Sequence, residues 1–215
     1  MQVNKIPTAV FTVGIAGGSG SGKSRLAELL RTRLIGSADS PDVIVLSEDA
    51  YYRDRSDLSY EQRCEINYDH PDSLEHELLA QHLVDLKAGR AVEAPCYDYA
   101  THNRTPQTDL ISPGRILLLE GILLLSEPAI RNELDLKIFI DVPLDICLSR
   151  RLRRDVLDRG RTVDSVLDQY QQTVRPMFFE FIEPSKAHAD LIVPGGGENK
   201  VAAEVLEHFL IARRG

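Results

Sequence analysis

The stretch that decides the fold is Gly17–Ser24, which reads Gly-Gly-Ser-Gly-Ser-Gly-Lys-Ser. It matches the pattern GxxxxGK(S/T) at every fixed position, and it lies between a predicted strand over Ala9–Ile15 and a predicted helix over Ser24–Leu34. Glycines allow the backbone to curl so that successive N–H groups point at phosphate oxygens, and the helix N-terminus adds partial positive charge. The pattern therefore predicts a nucleoside triphosphate site cradled by Gly17, Gly18, Ser19, Gly20, Ser21 and Gly22.

The last two residues of this stretch carry chemistry. Lys23 is expected to reach the β- and γ-phosphates, and the Ser24 hydroxyl is expected to ligate Mg²⁺. A glycine-rich turn with an incidental Lys-Ser pair is the alternative. A dinucleotide site is disfavoured, because Lys23 stands where the third glycine of GxGxxG would follow Gly18 and Gly20. A GTPase switch is disfavoured too, since no glycine has Asp three positions before it and Asn199-Lys200-Val201-Ala202 ends in Ala.

The rest of the chain alternates predicted strands with predicted helices. Continuous apolar runs are typical of parallel strands that are covered on both faces. Such runs predict strands at Val43–Leu46, Ile116–Leu119, Lys137–Ile140 and Asp190–Val193. Helices are predicted at Leu74–Lys87, Pro143–Arg159 (with Pro143 in the first helical position), Val163–Phe181 and Val201–Ala212. The predicted fold class is α/β, an open parallel sheet of the P-loop NTPase type with helices on both faces.

Two long segments interrupt this alternation. Asp49–Asp72 is polar and rich in Tyr, and Val92–Pro113 contains three prolines and short β-like pieces. Loops of this length in a compact domain are usually functional, or form hairpins over a site. Ligands bind beyond the carboxyl ends of the strands in open α/β sheets. We therefore expect both segments, including a β-hairpin insertion, to lie over the active site.

Composition favours a single domain over residues 1–215. The chain has 25 Lys+Arg against 33 Asp+Glu, and 43% hydrophobic residues are enough for a packed core. A net charge of −8 disfavours binding to nucleic acid. No apolar run approaches the ~20 residues that span a membrane, and the start lacks a secretory cleavage pattern. The odd, scattered cysteines Cys64, Cys96 and Cys147 predict reduced thiols and a cytoplasmic location.

Carboxylates follow two of the predicted strands. Asp49 comes just after Val43–Leu46, and Glu120 follows Ile116–Leu119. An acceptor hydroxyl needs a carboxylate to orient it and take its proton, and Mg²⁺ needs oxygen ligands. We expect both side chains to face the phosphate loop, with Glu120 as a metal ligand and no reactive role for Glu48. A helix cap or a solvated loop charge is the alternative for each.

Arginines are concentrated in one segment, where six of the 19 fall within twelve residues. They are Arg150, Arg151, Arg153, Arg154, Arg159 and Arg161. Planar guanidinium groups suit the charge spread over a transferring phosphoryl group. We expect half of them to form an anion-binding lid, with Gly160 as a hinge. The others are expected to pair at the surface with Asp145, Asp155 and Asp158.

These residues resemble the uridine kinase (uridine–cytidine kinase) family, and the resemblance runs from about Phe11 to Leu210. Besides the glycine-rich stretch, it rests on short motifs in a fixed order. They are EDAYY (48–52), NYDHP (67–71), PCYDY (95–99), HNR (102–104), LEGI (119–122), the Arg150–Arg161 segment, QY (169–170) and RP (175–176). The resemblance implies transfer of the γ-phosphate of ATP or GTP, with Mg²⁺, to the 5′-hydroxyl of uridine or cytidine. It also implies a role in pyrimidine salvage and a homo-oligomer, usually a tetramer.

The resemblance further implies roles for individual residues. Asp49 would be the base at the 5′-hydroxyl, and Asp69 with Arg151 would bind the ribose hydroxyls. The remaining nucleoside-pocket positions are Tyr97 and His102, which read the base, and Tyr68, Tyr99, Ile122 and Gln169. The phosphate-side and lid positions are Arg154, Arg159 and Arg161. The alternatives are core packing for the aromatic and apolar residues and an Asx-type turn for Asp69.

The chain departs from the family pattern in two places. Glu48-Asp49-Ala50 stands where the family usually has Gln-Asp-Ser, and Pro194-Gly195-Gly196 stands where it usually has Pro-Arg-Gly. The second change replaces an arginine with Gly195 in the loop that lies on the side of the donor purine, and it therefore bears on the choice between ATP and GTP. Two other functions stay open, a different small-molecule kinase such as a phosphoribulokinase-like or pantothenate-kinase-like enzyme, and a nucleotide-binding regulator without turnover.

Overall fold

The computed structural model describes residues 10–35 and 43–213. The strands in these ranges are β1 (Phe11–Gly17), β2 (Val43–Ser47), β3 (Val92–Asp98), β4 (Asn103–Ile111), β5 (Ile116–Glu120), β6 (Leu136–Asp141) and β7 (Leu191–Pro194). Five of them form one sheet in the order β2-β5-β1-β6-β7, and every neighbouring pair is parallel. The predicted open parallel sheet is confirmed.

The helices of the described ranges lie in the connections between the strands and after the last strand. They are α1 (Lys23–Ile35), α2 (Tyr60–Cys64), α3 (His76–Lys87), α4 (Pro128–Arg131), α5 (Leu144–Leu157), α6 (Val163–Gln169), α7 (Arg175–Met177), α8 (Glu183–Ser185) and α9 (Lys200–Arg213). Short 3₁₀ turns at Glu48–Tyr51, Pro71–Ser73 and Lys186–His188 supplement them.

Both faces of the sheet are covered, as the continuous apolar strands predict. On one face, Leu26 and Leu30 of α1 and Leu206 of α9 join a buried cluster with side chains of the strands. On the other face, Leu79 and Leu83 of α3 pack in a second cluster with the opposite side chains of the strands. Alternate residues of one strand therefore serve two cores, which explains why the central strands are apolar throughout.

The register of the strands places their carboxyl ends side by side. Glu120 at the end of β5 pairs with Ile15 of β1 and with Ser47 of β2. Gly17, where the phosphate loop begins, pairs with Ile140 of β6. The segments that directly follow β1, β2 and β5 therefore begin at the same edge of the sheet.

The segment Val92–Pro113 forms the predicted hairpin, in which β3 and β4 pair antiparallel with an irregularity between Pro95 and Tyr97. Arg104 of β4 fixes the hairpin to the strand edge. Its Nη2 donates to the Tyr51 carbonyl oxygen at 3.0 Å, and its Nη1 lies 2.7 Å from Glu75 Oε2. The hairpin is thereby held against the turn that carries Asp49.

The structure corrects several predicted boundaries. Pro143 is the N-cap of α5 rather than its first helical residue, and α5 ends at Leu157 instead of Arg159. The helix predicted over Val163–Phe181 is interrupted by π-helical turns at Tyr170–Val174 and Phe178–Ile182. The other predicted strands and helices begin or end one or two residues away from their predicted positions, and the short helices α2, α4 and α8 had not been predicted. Ala9, the predicted start of the first strand, lies outside the described residues.

Within the described part of the chain, no helix combines the length and the apolar character that crossing a membrane requires.

Candidate active site

The phosphate loop connects β1 to α1, and its glycines determine its shape. Gly17, Gly20 and Gly22 have φ angles of 142°, 85° and 98°, a region that residues with side chains rarely adopt. A Cβ atom on Gly17 would lie 2.6 Å from the Ile140 carbonyl oxygen. The loop therefore requires glycine both for its conformation and for its close contact with β6.

Lys23, the first residue of α1, lies over this loop and is 7% exposed. Its Nζ donates to the Gly18 carbonyl oxygen at 3.1 Å. An ammonium group has three donors, so two remain for an anion in front of the loop. The predicted phosphate contact fits this geometry.

A cavity of about 250 Å³ opens in front of the loop. It brings together the ends of β1, β2 and β5 and one face of α5. Its lining residues are Ser19, Gly20, Gly22, Lys23, Ser24, Arg25, Asp49, Glu120, Ile122, Arg150, Arg151 and Arg154. Arg25 and Arg150 are absent from the sequence-based assignment. The other lining residues belong to it, whereas its remaining members, most of them on the predicted nucleoside side, do not line this cavity.

Asp49 and Glu120 both face this cavity, as their positions after the strands predict. Glu120 Oε1 accepts a hydrogen bond from Ser47 Oγ at 2.9 Å. Burial raises the pKa of Glu120 although the charge of Lys23 lowers it, and the charge of Asp49 raises it further. Glu120 therefore lies close enough to the charges of both Asp49 and Lys23 to respond to them.

The oxygen atoms at this edge suit a magnesium ion. Ser24 donates a hydrogen bond to Glu120, and both line the cavity with Asp49. Mg²⁺ prefers oxygen ligands and is usually bound in proteins by one or two carboxylates together with the phosphates of a substrate. The residues present therefore fit a metal that arrives with a nucleotide.

Asp49 also contacts a second region, because Tyr99 at the tip of the hairpin donates its hydroxyl to Asp49 Oδ2 at 2.9 Å. Tyr52, three residues after Asp49, is buried, and the charges of Asp49 and Asp69 add to the burial that raises its pKa. The two phenols flank the carboxylate that is predicted to be the base.

Aromatic rings form a continuous cluster beyond Asp49. The ring centroid of Tyr52 lies 5.1 Å from that of Tyr68 and 4.9 Å from that of Tyr97. Tyr97 in turn lies 5.3 Å from Tyr99, and His102 stacks on Tyr68 at 5.5 Å. All four rings predicted to line a nucleoside pocket are therefore together, and Tyr52 is a fifth that the prediction missed.

His102 occupies the turn of the hairpin with a φ of 51°, the left-handed conformation. Asp98 stabilises this turn by accepting the Ala100 amide at 2.9 Å. Burial lowers the pKa of His102, and the positive charges of Arg161 and Arg159 lower it further. The imidazole is therefore neutral at pH 7 and can either donate or accept a hydrogen bond.

Asp69 and Ile122 of the predicted nucleoside site are buried, 6% and 7% exposed, as is Arg151. Burial raises the pKa of Asp69, while the nearby Arg151 opposes the shift. The Asx-type turn exists, but Asn67 makes it, by accepting the Asp69 amide at 3.1 Å. The Asp69 carboxylate is therefore not required by the turn.

The predicted arginines form one connected group. Arg151 donates to Ser19 Oγ of the phosphate loop at 2.8 Å and to Gln169 Oε1 at 2.7 Å. Gln169 Oε1 also accepts a hydrogen bond from Arg161. The Arg159 guanidinium lies 4.6 Å from the centroid of the Tyr99 ring. The side-chain oxygen of Gln169, a predicted nucleoside contact, therefore already binds two arginines.

Asp155 corrects the surface-pair expectation. Its side chain is completely buried, and it lies within 4.0 Å of guanidinium nitrogens of Arg151, Arg154, Arg159 and Arg161. The spacing of four residues from Arg151 to Asp155 to Arg159 places these side chains on one face of the segment. This spacing is the sequence signal from which the contacts of Asp155 could have been predicted. Arg153 is exposed, as expected for the solvated face.

Glu48, for which no reactive role is expected, is neither a cap nor a solvated charge. It is completely buried, its Oε1 lies 2.9 Å from His76 Nε2, and its Oε2 accepts the Leu123 amide at 2.9 Å. Burial opposes the charge on His76, but the hydrogen bond and charge of Glu48 outweigh it and raise the His76 pKa. A Cβ on Gly121 would overlap the Glu48 carboxylate. Glu48 therefore joins the segments that carry Asp49 and Glu120.

The loop after β7 packs on the phosphate loop through glycines. A Cβ on Gly197 would overlap the Gly22 carbonyl, and one on Gly196 would lie 2.7 Å from Arg150 Nη1. A Cβ on Gly195 would meet nothing within 4 Å. The position where the family usually has arginine therefore borders open space, although its φ of 79° favours glycine.

The chain matches the family model of the phosphoribulokinase / uridine kinase family over residues 12–202. It is 54% identical over 195 residues to the uridine kinase of Proteus mirabilis, which covers 91% of this chain and 92% of the relative. It is 53% identical over the same length to the uridine kinase of Shewanella pealeana, with the same coverage.

Solved structures share the fold at much lower identity. A candidate fructose transport system kinase from Silicibacter aligns with a TM-score of 0.69 and 23% identity, over 90% of this chain and 93% of that one. A possible uridine kinase from Bacillus stearothermophilus aligns with a TM-score of 0.56 and 20% identity, over 86% and 89%. At these identities the likeness shows the fold alone.

Proposed function

The chain belongs to the phosphoribulokinase / uridine kinase family, and we propose that it transfers the γ-phosphate of ATP or GTP to the 5′-hydroxyl of uridine or cytidine. The products are UMP or CMP, and the role is pyrimidine salvage. The identity of 54% to a curated uridine kinase over nine-tenths of the chain supports this reaction. The observation that carries it in the structure is the position of Asp49, which lines the phosphate cavity and accepts the Tyr99 hydroxyl of the aromatic cluster.

The phosphate donor is bound by the loop Gly17–Ser24. Its backbone N–H groups bind phosphate oxygens, and Lys23 adds a positive charge that only one hydrogen bond to the protein occupies. Ser24 and Glu120 would hold Mg²⁺, which when bound neutralises phosphate charge. Gly195 leaves the donor purine without the arginine that the family usually has, so both ATP and GTP stay donor candidates.

The nucleoside is bound on the other side of Asp49. Asp69 and Arg151 bind the ribose hydroxyls, Tyr97 and His102 read the base, and the other aromatic side chains enclose it. The neutral imidazole supports this assignment, because uridine presents an acceptor at C4 where cytidine presents a donor.

Proton transfer is assigned to Asp49. It accepts the proton of the 5′-hydroxyl as that oxygen attacks the γ-phosphorus, while the bond from the γ-phosphorus to the β,γ-bridging oxygen breaks and the nucleoside diphosphate leaves. Arg154, Arg159 and Arg161 bind the charge on the transferring phosphoryl group. Tyr99 orients the carboxylate by donating its hydroxyl to Asp49 Oδ2.

A cytoplasmic location and a homo-oligomer, a tetramer by analogy with the family, complete the proposal. The small-molecule substrates need neither a membrane nor a nucleic acid as partner.

An ADP-release assay with five acceptors tests the function. Uridine and cytidine should both support ATP-dependent release, whereas thymidine, ribulose 5-phosphate and pantothenate should not. Release with ribulose 5-phosphate or pantothenate alone would identify another kinase of the same build. Tight ATP binding without release with any acceptor would favour a nucleotide-binding regulator.

A further inference from the structure

One buried carboxylate lies beneath four arginines on α5 and the segment that follows it. Asp155 is completely buried, and its Oδ1 lies 2.8 Å from Nη2 of Arg154 and 3.6 Å from Nη1 of Arg159. Its Oδ2 lies 3.6 Å from Nε of Arg151 and 3.9 Å from Nη1 of Arg161. Among the residues that the structure describes, no other carboxylate forms an ion pair with any of the four.

The charges of this cluster do not balance. Four guanidinium groups surround one carboxylate, which leaves an excess of three positive charges. Like charges this close repel each other unless an anion lies between them. The side chains of Arg154, Arg159 and Arg161 are about one-third exposed, so they can bind a further anion from the cavity side.

The two oxygens of Asp155 bind differently. Oδ1 accepts a hydrogen bond from Nε of Arg154 at 2.8 Å, whereas Oδ2 is buried without a hydrogen-bond partner. Arg151 and Arg161 are therefore attracted to Oδ2 by charge alone. They can shift toward a phosphate without breaking a hydrogen bond to Asp155.

The backbone of Asp155 adds a second constraint. Its carbonyl oxygen accepts the amide of Arg161 at 3.0 Å, which ties the segment after Gly160 back to α5. Gln169 bridges Arg161 to Arg151, and Arg151 reaches Ser19 in the phosphate loop. A continuous set of contacts therefore leads from Asp155 to the phosphate loop.

We propose that Asp155 is a positioning residue for phosphoryl transfer, which holds the four arginines assembled before the nucleotide binds. It is too deeply buried to touch the reacting atoms, and it acts through the arginines. Preorganised charges stabilise a transition state without the cost of gathering them during the reaction. The proposal rests on the proposed function, because it assigns Arg154, Arg159 and Arg161 to the phosphoryl group.

The substitution Asp155→Asn tests this role, because it keeps the size of the side chain and removes its charge. We expect kcat with uridine to fall by ~10²-fold, the loss typical of one misplaced charge-stabilising group, with the KM for ATP changed by less than about threefold. Asp158→Asn is the matched control, since Asp158 is exposed at the C-cap of the same helix. It should keep wild-type kinetics.

A double-mutant comparison separates positioning from a general loss of structure. If Asp155 acts through Arg161, then Asp155→Asn should reduce kcat much less in the Arg161→Ala background than in the wild type. The proposal would be overturned if Asp155→Asn reduced kcat by the same factor in the Arg161→Ala background as in the wild type. A wild-type kcat in Asp155→Asn would overturn it as well.

Asp155→Ala provides a second variant, because it leaves a carboxylate-sized space between the arginines while keeping a strong helix former in α5. Formate should restore part of its kcat and leave wild-type kcat unchanged. A folded variant whose lost turnover formate does not restore would contradict the role of the carboxylate.

The failure of the proposed function would be seen separately, as a wild-type protein that releases no ADP with uridine or cytidine. Hydrogen exchange would then still test Asp155 itself. The Arg161 amide should exchange faster in Asp155→Asn than in Asp158→Asn, and equal exchange would contradict the positioning role.

Discussion

In the proposed site, the phosphate side and the nucleoside side are built in opposite ways. The phosphate side comes from the eight consecutive residues Gly17–Ser24, which run from the last residue of β1 into the first turn of α1, and its shape depends on backbone conformation at Gly17, Gly20 and Gly22. The nucleoside side gathers rings from the turn after β2, the loop before α3 and the hairpin. Under the proposed assignment, the fold itself provides phosphate binding, while inserted segments provide the choice of acceptor.

The two sides meet at one carboxylate. Asp49 lines the phosphate cavity and accepts the hydroxyl of Tyr99 from the hairpin. Substitutions on one side should therefore alter the kinetics of one substrate and leave binding of the other intact. Substitution of Asp49 should affect the reaction between them.

The largest effect is expected on the nucleoside side, with a changed substrate rather than a changed protein. Thymidine lacks the 2′-hydroxyl that Asp69 is assigned to bind, and its C5 methyl group would crowd the aromatic wall. A site built to hydrogen-bond a hydroxyl can reject the analogue without it by up to ~10⁴-fold in kcat/KM. Competition kinetics against uridine measure this ratio. Deoxyuridine separates the two causes, and its use at the rate of uridine would refute the assignment of Asp69.

On the phosphate side, Lys23→Ala should reduce kcat by ~10³-fold and also weaken ATP binding, because its charge contacts phosphates in both the ground state and the transition state. Uridine binding, measured by calorimetry, should stay near that of the wild type. Arg25→Ala is the control, since Arg25 lines the cavity rim and pairs with Glu198 while more than half exposed. Unchanged ATP affinity in Lys23→Ala would contradict the two-sided account.

His102→Leu should impair the reaction with uridine and cytidine to a similar extent, by ~10²-fold in kcat/KM, because in the proposed pocket one neutral imidazole reads both bases. ATP binding should persist. His208→Leu is the control, since His208 is exposed on α9. Selective loss of one nucleoside would mean that His102 discriminates between the bases, and wild-type kinetics would remove it from the pocket.

The smallest effect is expected on the free energy of unfolding, through the buried pair of Glu48 and His76. Glu48 raises the pKa of His76 above its ordinary 6.5, so the protonated form stabilises the fold. That contribution is complete below pH 6.5 and is lost as the pH rises through the higher pKa of the folded state. Each pH unit that separates the pKa of the folded protein from that of the unfolded chain contributes about 1.4 kcal/mol. Urea unfolding at pH 6 and at pH 9 should show a larger loss of stability for the wild type than for His76→Gln. Equal losses would exclude the ion pair with Glu48.

Much of the fold could be predicted from the sequence, because the signals are local. The pattern GxxxxGK(S/T), the apolar runs and the positions of Asp49 and Glu120 after strands all depend on neighbours in the chain. The hairpin over Val92–Pro113 was predictable from its length and prolines. These features predicted the parallel sheet and the hairpin, and they placed Asp49 and Glu120 at the edge of the sheet where the cavity opens.

The misses involve contacts between distant residues. The burial of Asp155 depends on how α5 packs against the segment after Gly160, and the burial of Glu48 depends on His76 and Leu123. In the sequence, each is an acidic residue beside charged neighbours, which is typical of a solvated surface. Tyr52 shows the same limit, since its ring faces partners that are 16 and 45 residues away.

The central claim is that Asp49 is the proton acceptor where the two sides meet. The test is Asp49→Asn, with uridine and ATP binding measured separately by calorimetry and the formation of 5′-UMP followed in a single turnover. The account predicts that both ligands bind nearly as in the wild type while 5′-UMP forms ~10²–10⁴-fold more slowly. A near-normal rate of 5′-UMP formation in this variant would contradict it.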